Sequence, residues 1–244
     1  MLLKACLNGN RTSAEHCALP VTPAQLAADV VAVRAAGAGA VHLHVKDTSG
    51  IDTFDADHMA AALQAIRDVS PQMPVGVTTG AWALSDPTER VAAIRAWRVL
   101  PDFASVNWHE DGAEVVSAAL LERGVGVEAG LWHAEAVAAW ATSPLRRKCL
   151  RVLIELPDGL DAARTVDSAD QLLSLVRDVE RDSVPILLHG EGSSCWPALR
   201  YAATAGLATR IGLEDTLQMP VGSPAPDNAS LVRAAMTIIE GSVA

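Results

Sequence analysis

Cysteine is scarce in this chain: four in 244 residues, at Cys6, Cys17, Cys149 and Cys195, with no C-x-x-C pair among them. That is too sparse for a disulfide framework at this length, and a reducing, cytoplasmic setting is the expectation. Positive charge is short as well. Nineteen Lys and Arg stand against 29 Asp and Glu, a net charge of −10, which leaves no basic stripe for a nucleic acid. An anionic substrate is not excluded, because a few Arg or Lys in one pocket bind an anion whatever the net charge. No apolar run reaches the length of a membrane span, and the opening MLLKACLNGNR turns polar too soon for a signal peptide. There is also no Gly-rich phosphate loop after the first apolar run. NGNRTS (8–13) stands there, which argues against a doubly wound, dinucleotide-binding sheet.

What the chain does have is apolar content, 50% of its residues, enough to bury a large core. Short apolar runs at 2–8, 41–45, 75–79, 103–108, 125–130, 151–156, 185–190 and 208–213 read as strands. Ala-rich amphipathic runs at 23–37, 55–69, 85–97, 112–123, 133–141, 168–181, 196–205 and 228–240 read as helices. Thr22 before Pro23 is an N-cap with proline at the first helical position, and Gly37 and Gly124 stand where helix C-caps belong. Eight strand–helix units with no remainder predict one α/β domain over 1–244, a closed TIM (β/α)8 barrel; an open doubly wound sheet is the alternative.

In such a barrel the active site lies at the C-terminal ends of the strands. Of seven histidines, only His58 falls inside an expected helix well away from a strand end. His42 and His44 end the second strand at i, i+2 spacing, so their rings share one face. Two imidazoles converging at a barrel mouth suit zinc, which needs a third ligand and an open position. Glu214, near the end of RIGLED (210–215), lies on a strand of the same layer, and parity puts Arg210, Gly212 and Glu214 on one face with Asp215 turned away or in the loop. The bland alternatives are two polar residues on a half-buried strand and a buried Arg210–Glu214 ion pair. Thr78, Thr79, Asn107 and Glu128 fall near other strand ends and can orient a carbonyl or carboxylate. Trp82, Trp108, Trp132 and Trp196 also lie past strand ends, as a pocket wall or as roofing over the barrel.

The ordered set NGNR (8–11), LPVTPAQLAADV (19–30), AGAGAVHLHVKDTSG (36–50), TTG (78–80), RIGLEDT (210–216) and DNASLV (227–232) resembles the β-keto acid cleavage enzyme family over nearly the whole chain. The resemblance implies a TIM barrel holding one divalent metal, zinc first, on His42, His44 and Glu214. It implies an Arg210–Asp215 functional pair with Asp215 as base, a strand-end hydroxyl at Thr78 and an amide at Asn107. The implied reaction condenses a β-keto acid with acetyl-CoA to give acetoacetate and a new CoA ester. The expected partners are therefore those two small molecules, with the chain itself a homo-oligomer.

Two positions depart from the pattern that suits an amino substrate: Arg11 and Gly130 stand where acids would be. With Arg11 free to pair a carboxylate and Trp108 adding apolar surface, the expectation is a neutral or anionic substrate. ELPDG (155–159) stands where the family has a Gly-rich segment after the sixth strand, and HGEGSS (189–194) is the segment after the seventh; the resemblance implies that these loops shape the CoA side. The rivals are a zinc-dependent C–C lyase or hydrolase that does without CoA, a non-haem iron enzyme on the same facial triad, and a binding barrel without catalysis.

Overall fold

A computed structural model describes residues 1–179 and 184–243. Eight parallel strands alternate with eight helices. The strands are β1 Leu3–Cys6, β2 Ala40–Leu43, β3 Val75–Thr78, β4 Phe103–Asn107, β5 Gly126–Leu131, β6 Arg151–Leu156, β7 Ile186–Gly190 and β8 Thr209–Ile211. The helices are α1 Pro23–Ala35, α2 Ala56–Val69, α3 Pro87–Ala96, α4 Ala113–Glu122, α5 Ala134–Thr142, α6 Ala162–Val179, α7 Cys195–Thr204 and α8 Asn228–Val243. The strands pair in the order β7-β6-β5-β4-β3-β2-β1-β8. A parallel bridge between Leu187 and Ala208 joins the two ends of that order and closes the barrel. No helix among the described residues is long and apolar enough to cross a membrane.

Local chemistry sets the boundaries. Thr22 caps α1 in a full capping box with Gln25, and Pro23 supplies the first helical position. Asp55 and Asp86 cap α2 and α3 through their side chains. Gly124, two residues past α4, takes φ +77°, which a side chain would resist. Helix α6 starts six residues before the expected 168, because Asp161 accepts from the Arg164 amide at 2.9 Å and caps the run DAARTV. The expected end of that helix, residues 180 and 181, lies outside the described residues.

The main core fills the space between strands and helices with Val, Leu, Ile and Ala. Inside the barrel the filling is partly polar. Lys4 of β1 reaches across to Glu128 of β5 at 2.6 Å, and Arg151 of β6 approaches the other Glu128 oxygen at 3.2 Å. The Phe103 ring lies against both cations, with centroids 5.5 Å from Lys4 Nζ and 5.7 Å from Arg151 Cζ. Gly76 makes room for that ring: a Cβ there would lie 1.9 Å from Phe103 Cε2.

Candidate active site

Above this layer, the strand ends surround a cavity of about 250 Å³. His42 is the third residue of β2, and His44 lies one residue past the strand's end. Asn8, just after β1, holds His44 by its backbone: Oδ1 accepts from the His44 amide at 2.8 Å and Nδ2 donates to its carbonyl at 2.9 Å. On the other side of β1, β8 stops at Ile211, earlier than the sequence pattern suggests. A turn follows, in which the amides of Asp215 and Thr216 donate to the Gly212 carbonyl at 2.9 and 3.0 Å. Gly212 presses so closely on β1 that a Cβ would lie 1.8 Å from the Cys6 carbonyl oxygen. The turn carries Glu214 over β1 toward the two histidines.

His42 Nε2 then lies 3.9 Å from Glu214 Oε2, and His44 Nε2 lies 4.0 Å from Glu214 Oε1. All three residues offer ligand atoms within 4.8 Å of one another, an arrangement able to hold a metal ion. The donor set fits a divalent cation on three grounds. Glu214 Oε2 is buried without a hydrogen-bond partner. Burial, with Lys4 and neighbouring imidazoles, keeps the His42 pKa well below the ordinary value, so the ring is a neutral ligand. His44 is oriented from behind: Asp52 Oδ2 bonds its Nδ1 at 2.7 Å, which leaves Nε2 directed at Glu214. Lys46 bonds Asp52 Oδ1 at 2.6 Å, and Trp82 donates to Oδ2 at 3.1 Å while its ring stacks on His44 at 5.7 Å. Burial pushes the Asp52 carboxyl up, but the bonds and charges of His44 and Lys46 prevail and bring it to about 2.

Arg210, inside the barrel mouth on β8, donates from Nε and Nη2 to Asp215 Oδ1 at 3.0 and 2.7 Å, and Nη2 lies 3.1 Å from Glu214 Oε1. The turn after β8 thus folds Asp215 back onto Arg210 rather than away from it. An Arg neighbour alone would depress the Asp215 pKa. Complete burial outweighs that, and with Glu214, Glu191 and Glu155 nearby the carboxyl is pushed up to about 8. Its Oδ2 is buried and unbonded.

The other expected substrate residues divide. Arg11, Thr78 and Asn107 line the cavity, as do Trp82 and Trp132. The Thr78 hydroxyl oxygen accepts from the Gly80 amide at 3.1 Å, which leaves its proton for a ligand. Asn107 Nδ2 donates to Glu110 at 2.9 Å. A Cβ at residue 130 would lie 2.5 Å from Asn107 Oδ1, so glycine there is what gives the amide its place. Four residues are not at the cavity. Glu128 sits one layer deeper, fully buried between Lys4 and Arg151. Thr79 is turned outward, its hydroxyl donating to the Ser105 carbonyl at 2.7 Å. Trp108 is packed in the core, and Trp196 is tied to the Gln218 carbonyl at 2.9 Å.

Two cavity residues escaped the sequence reading: Glu155, second from the end of β6, and Glu191, just after β7. Strand parity is the available signal for Glu155, since Leu153 and Glu155 share the inward face of the expected strand at 151–156, whereas ELPDG and HGEGSS are taken only as segments shaping the CoA side. Their carboxyls bring acid to the cavity in addition to Glu214. Arg11 in turn is partly engaged, with Nε donating to the Glu214 carbonyl at 3.3 Å and Nη1 lying 3.4 Å from Glu15.

Comparison with known proteins finds relatives of this chain and of its fold. A model of the beta-keto acid cleavage enzyme family matches residues 1–242. A 3-keto-5-aminohexanoate cleavage enzyme from Fusobacterium nucleatum subsp. nucleatum is 23% identical over 249 aligned positions, covering 95% of this chain and 88% of that protein. Among solved structures, ObcA in a binary complex with oxaloacetate superposes with a TM-score of 0.71 at 18% identity over 93% of this chain. This chain spans 64% of the length of that ObcA chain. A 3-hexulose-6-phosphate synthase from Salmonella typhimurium superposes at 0.59 with 13% identity, covering 99% of this chain and all of that one (100%), a likeness of fold alone.

Proposed function

The chain belongs to the beta-keto acid cleavage enzyme family, and from that membership we propose that it cleaves a β-keto acid in a metal-dependent reaction with acetyl-CoA: the acyl group passes to the CoA sulfur as a new CoA ester, and the acetyl group joins the remaining CH2–carboxylate fragment as acetoacetate. The observation that carries the reading is the His42–His44–Glu214 cluster with the Arg210–Asp215 pair against it at the barrel mouth. His42, His44 and Glu214 would hold the metal, and zinc is the cation that best suits two imidazoles and one carboxylate. When bound, the metal supplies Lewis-acid polarisation of a ketone oxygen. Asp215 takes and returns the substrate proton at Oδ2, the atom left free when Arg210 engages Oδ1. A proton affinity near neutrality suits that exchange. Thr78 donates its hydroxyl proton to a substrate oxygen, Asn107 fixes the opposite side of the cavity, and Arg11 at the rim pairs with the acid function of the substrate.

A second reading omits acetyl-CoA and is favoured by Glu155 and Glu191, which put carboxyls in the two segments that the resemblance assigns to the CoA side. A screen of β-keto acids with and without acetyl-CoA, following both consumption of the β-keto acid and release of acetoacetate, separates the two. Turnover only with acetyl-CoA supports transfer. Turnover without it supports a CoA-independent lyase or hydrolase, and oxygen uptake on the iron-loaded protein would move the reading to an oxygenase.

A further inference from the structure

At the level of the two histidines, β1 loses its ladder partners on both sides. Toward β2, the Leu7 amide donates to the His42 carbonyl at 2.9 Å, and the next bond of a parallel ladder would run from the His44 amide to the Leu7 carbonyl. Asn8 Oδ1 takes the His44 amide instead, at 2.8 Å. Toward β8, the Thr209 amide donates to the Leu2 carbonyl at 3.0 Å, and the two-residue period assigns the Leu213 amide to the Cys6 carbonyl. Past Ile211 the chain slips by one residue, and the Glu214 amide takes Cys6 at 3.3 Å. Two buried backbone groups are left over beside the proposed ligands. One is the Leu7 carbonyl, which the His44 amide no longer reaches; the other is the Leu213 amide, just before Glu214. Each would cost free energy if it stayed unpaired.

The side chain of Asn228 takes both. Its Oδ1 accepts from the Leu213 amide at 2.7 Å, and its Nδ2 donates to the Leu7 carbonyl at 2.8 Å. Nδ2 also donates to Asp29 Oδ2 of α1 at 2.7 Å. The carboxamide therefore stands in for a missing peptide group between β1 and the turn after β8. Only one orientation works, since a flipped amide would set Nδ2 against the Leu213 N–H and Oδ1 against the Leu7 carbonyl. Burial pushes the Asp29 carboxyl up to about 6, with the Asn228 bond pulling the other way, so at neutral pH it still accepts. Asn228 is 0% exposed and does not line the cavity. It opens α8 in the DNASLV segment (227–232), which the cavity and its chemistry leave unused.

We propose that Asn228 is a positioning residue for the metal site: its carboxamide clamps the turn that carries Glu214 onto the end of β1, so that the carboxylate faces His42 and His44 before a cation arrives. The inference rests on the proposed metal site and assumes nothing about the substrate. A ligand already held in place needs no ordering when the ion binds, so loss of the clamp should appear as weaker metal binding.

Two measurements on the full chain test this: zinc affinity by chelator competition, and amide hydrogen exchange in the metal-free protein. They compare wild type with Asn228→Ala and with Leu120→Ala, a truncation of a buried residue in α4 beside β4, the strand opposite β8 in the closed ring. Asn228→Ala should bind zinc at least about tenfold more weakly, while Leu120→Ala stays within about twofold of wild type. The Leu213 and Glu214 amides should exchange at least about tenfold faster in Asn228→Ala, measured relative to the amides of β5 so that global unfolding cancels. Equal zinc loss in Leu120→Ala would mean general destabilisation and overturns the clamp. If Asn228→Ala does not fold, the near-isosteric Asn228→Asp, which loses both donated bonds, is held to the same tenfold loss of zinc affinity. Zinc bound equally well by wild type and the Asn228 variant supports the metal site and overturns the clamp. A wild type that binds no zinc, with the exchange contrast intact, supports the clamp and contradicts the metal site.

Discussion

The interior of this barrel and its mouth treat buried charge in opposite ways. One layer down, Glu128 is closed between Lys4 and Arg151, with Phe103 packed against both cations. At the mouth, Glu155 and Glu191 face each other without a cation, and Glu214 Oε2 and Asp215 Oδ2 are buried without a partner. A satisfied ion cluster holds the strands together and has nothing left to offer a ligand. An unsatisfied one raises pKa values, costs stability and is available for chemistry. Substitutions in the two regions should therefore fail in different ways.

The largest expected effect is at the mouth. Asp215→Asn keeps the metal and the fold but loses turnover about 100- to 10,000-fold, the range of a general base. Glu214→Gln should weaken metal binding as well. If the two variants behave alike in metal content and in steady-state rate, their roles are not divided as described. The interior should respond the other way. Glu128→Ala leaves Lys4 buried and unpaired and should destabilise by about 3–5 kcal/mol, lowering Tm by roughly 6–20 °C, while metal content stays that of the wild type. A small change in Tm with a large loss of substrate affinity would return Glu128 to the binding site.

Smaller effects sharpen the contrast. Asp52→Asn removes the carboxylate that orients His44 and should weaken the metal about 10- to 100-fold in chelator competition. Unchanged affinity would mean that Asp52 serves only Lys46. The smallest effect is a pH dependence. Glu191 has a folded pKa of about 7 against an ordinary 4.5, so the folded state holds its proton more tightly. The stability this contributes is full below the unfolded value and is lost as pH rises through about 7. Wild type should lose Tm relative to Glu191→Gln by a few degrees between about pH 5 and pH 8. A flat difference would show that the pair is compensated after all.

The periodicity of the sequence carried the barrel, because each strand is a short apolar run and each helix has its cap residues beside it. His42 and His44 were legible from alternation alone. What alternation does not carry is depth. Glu128 and Glu155 both point inward, but Glu128 is third in β5 and closes on Lys4 while Glu155 is fifth in β6 and reaches the cavity. Register between distant strands fixes that difference, and a one-strand pattern is blind to it. The turn after β8 was equally hidden. It depends on Gly212 meeting the Cys6 carbonyl, a contact between the two ends of the chain.

Metal analysis of the purified protein bears most directly on the central claim that His42, His44 and Glu214 are the ligands. Wild type should carry about one divalent ion per chain, and the His42→Ala/His44→Ala double variant should carry almost none with its helical circular dichroism intact. Full occupancy in the folded double variant would contradict the assignment.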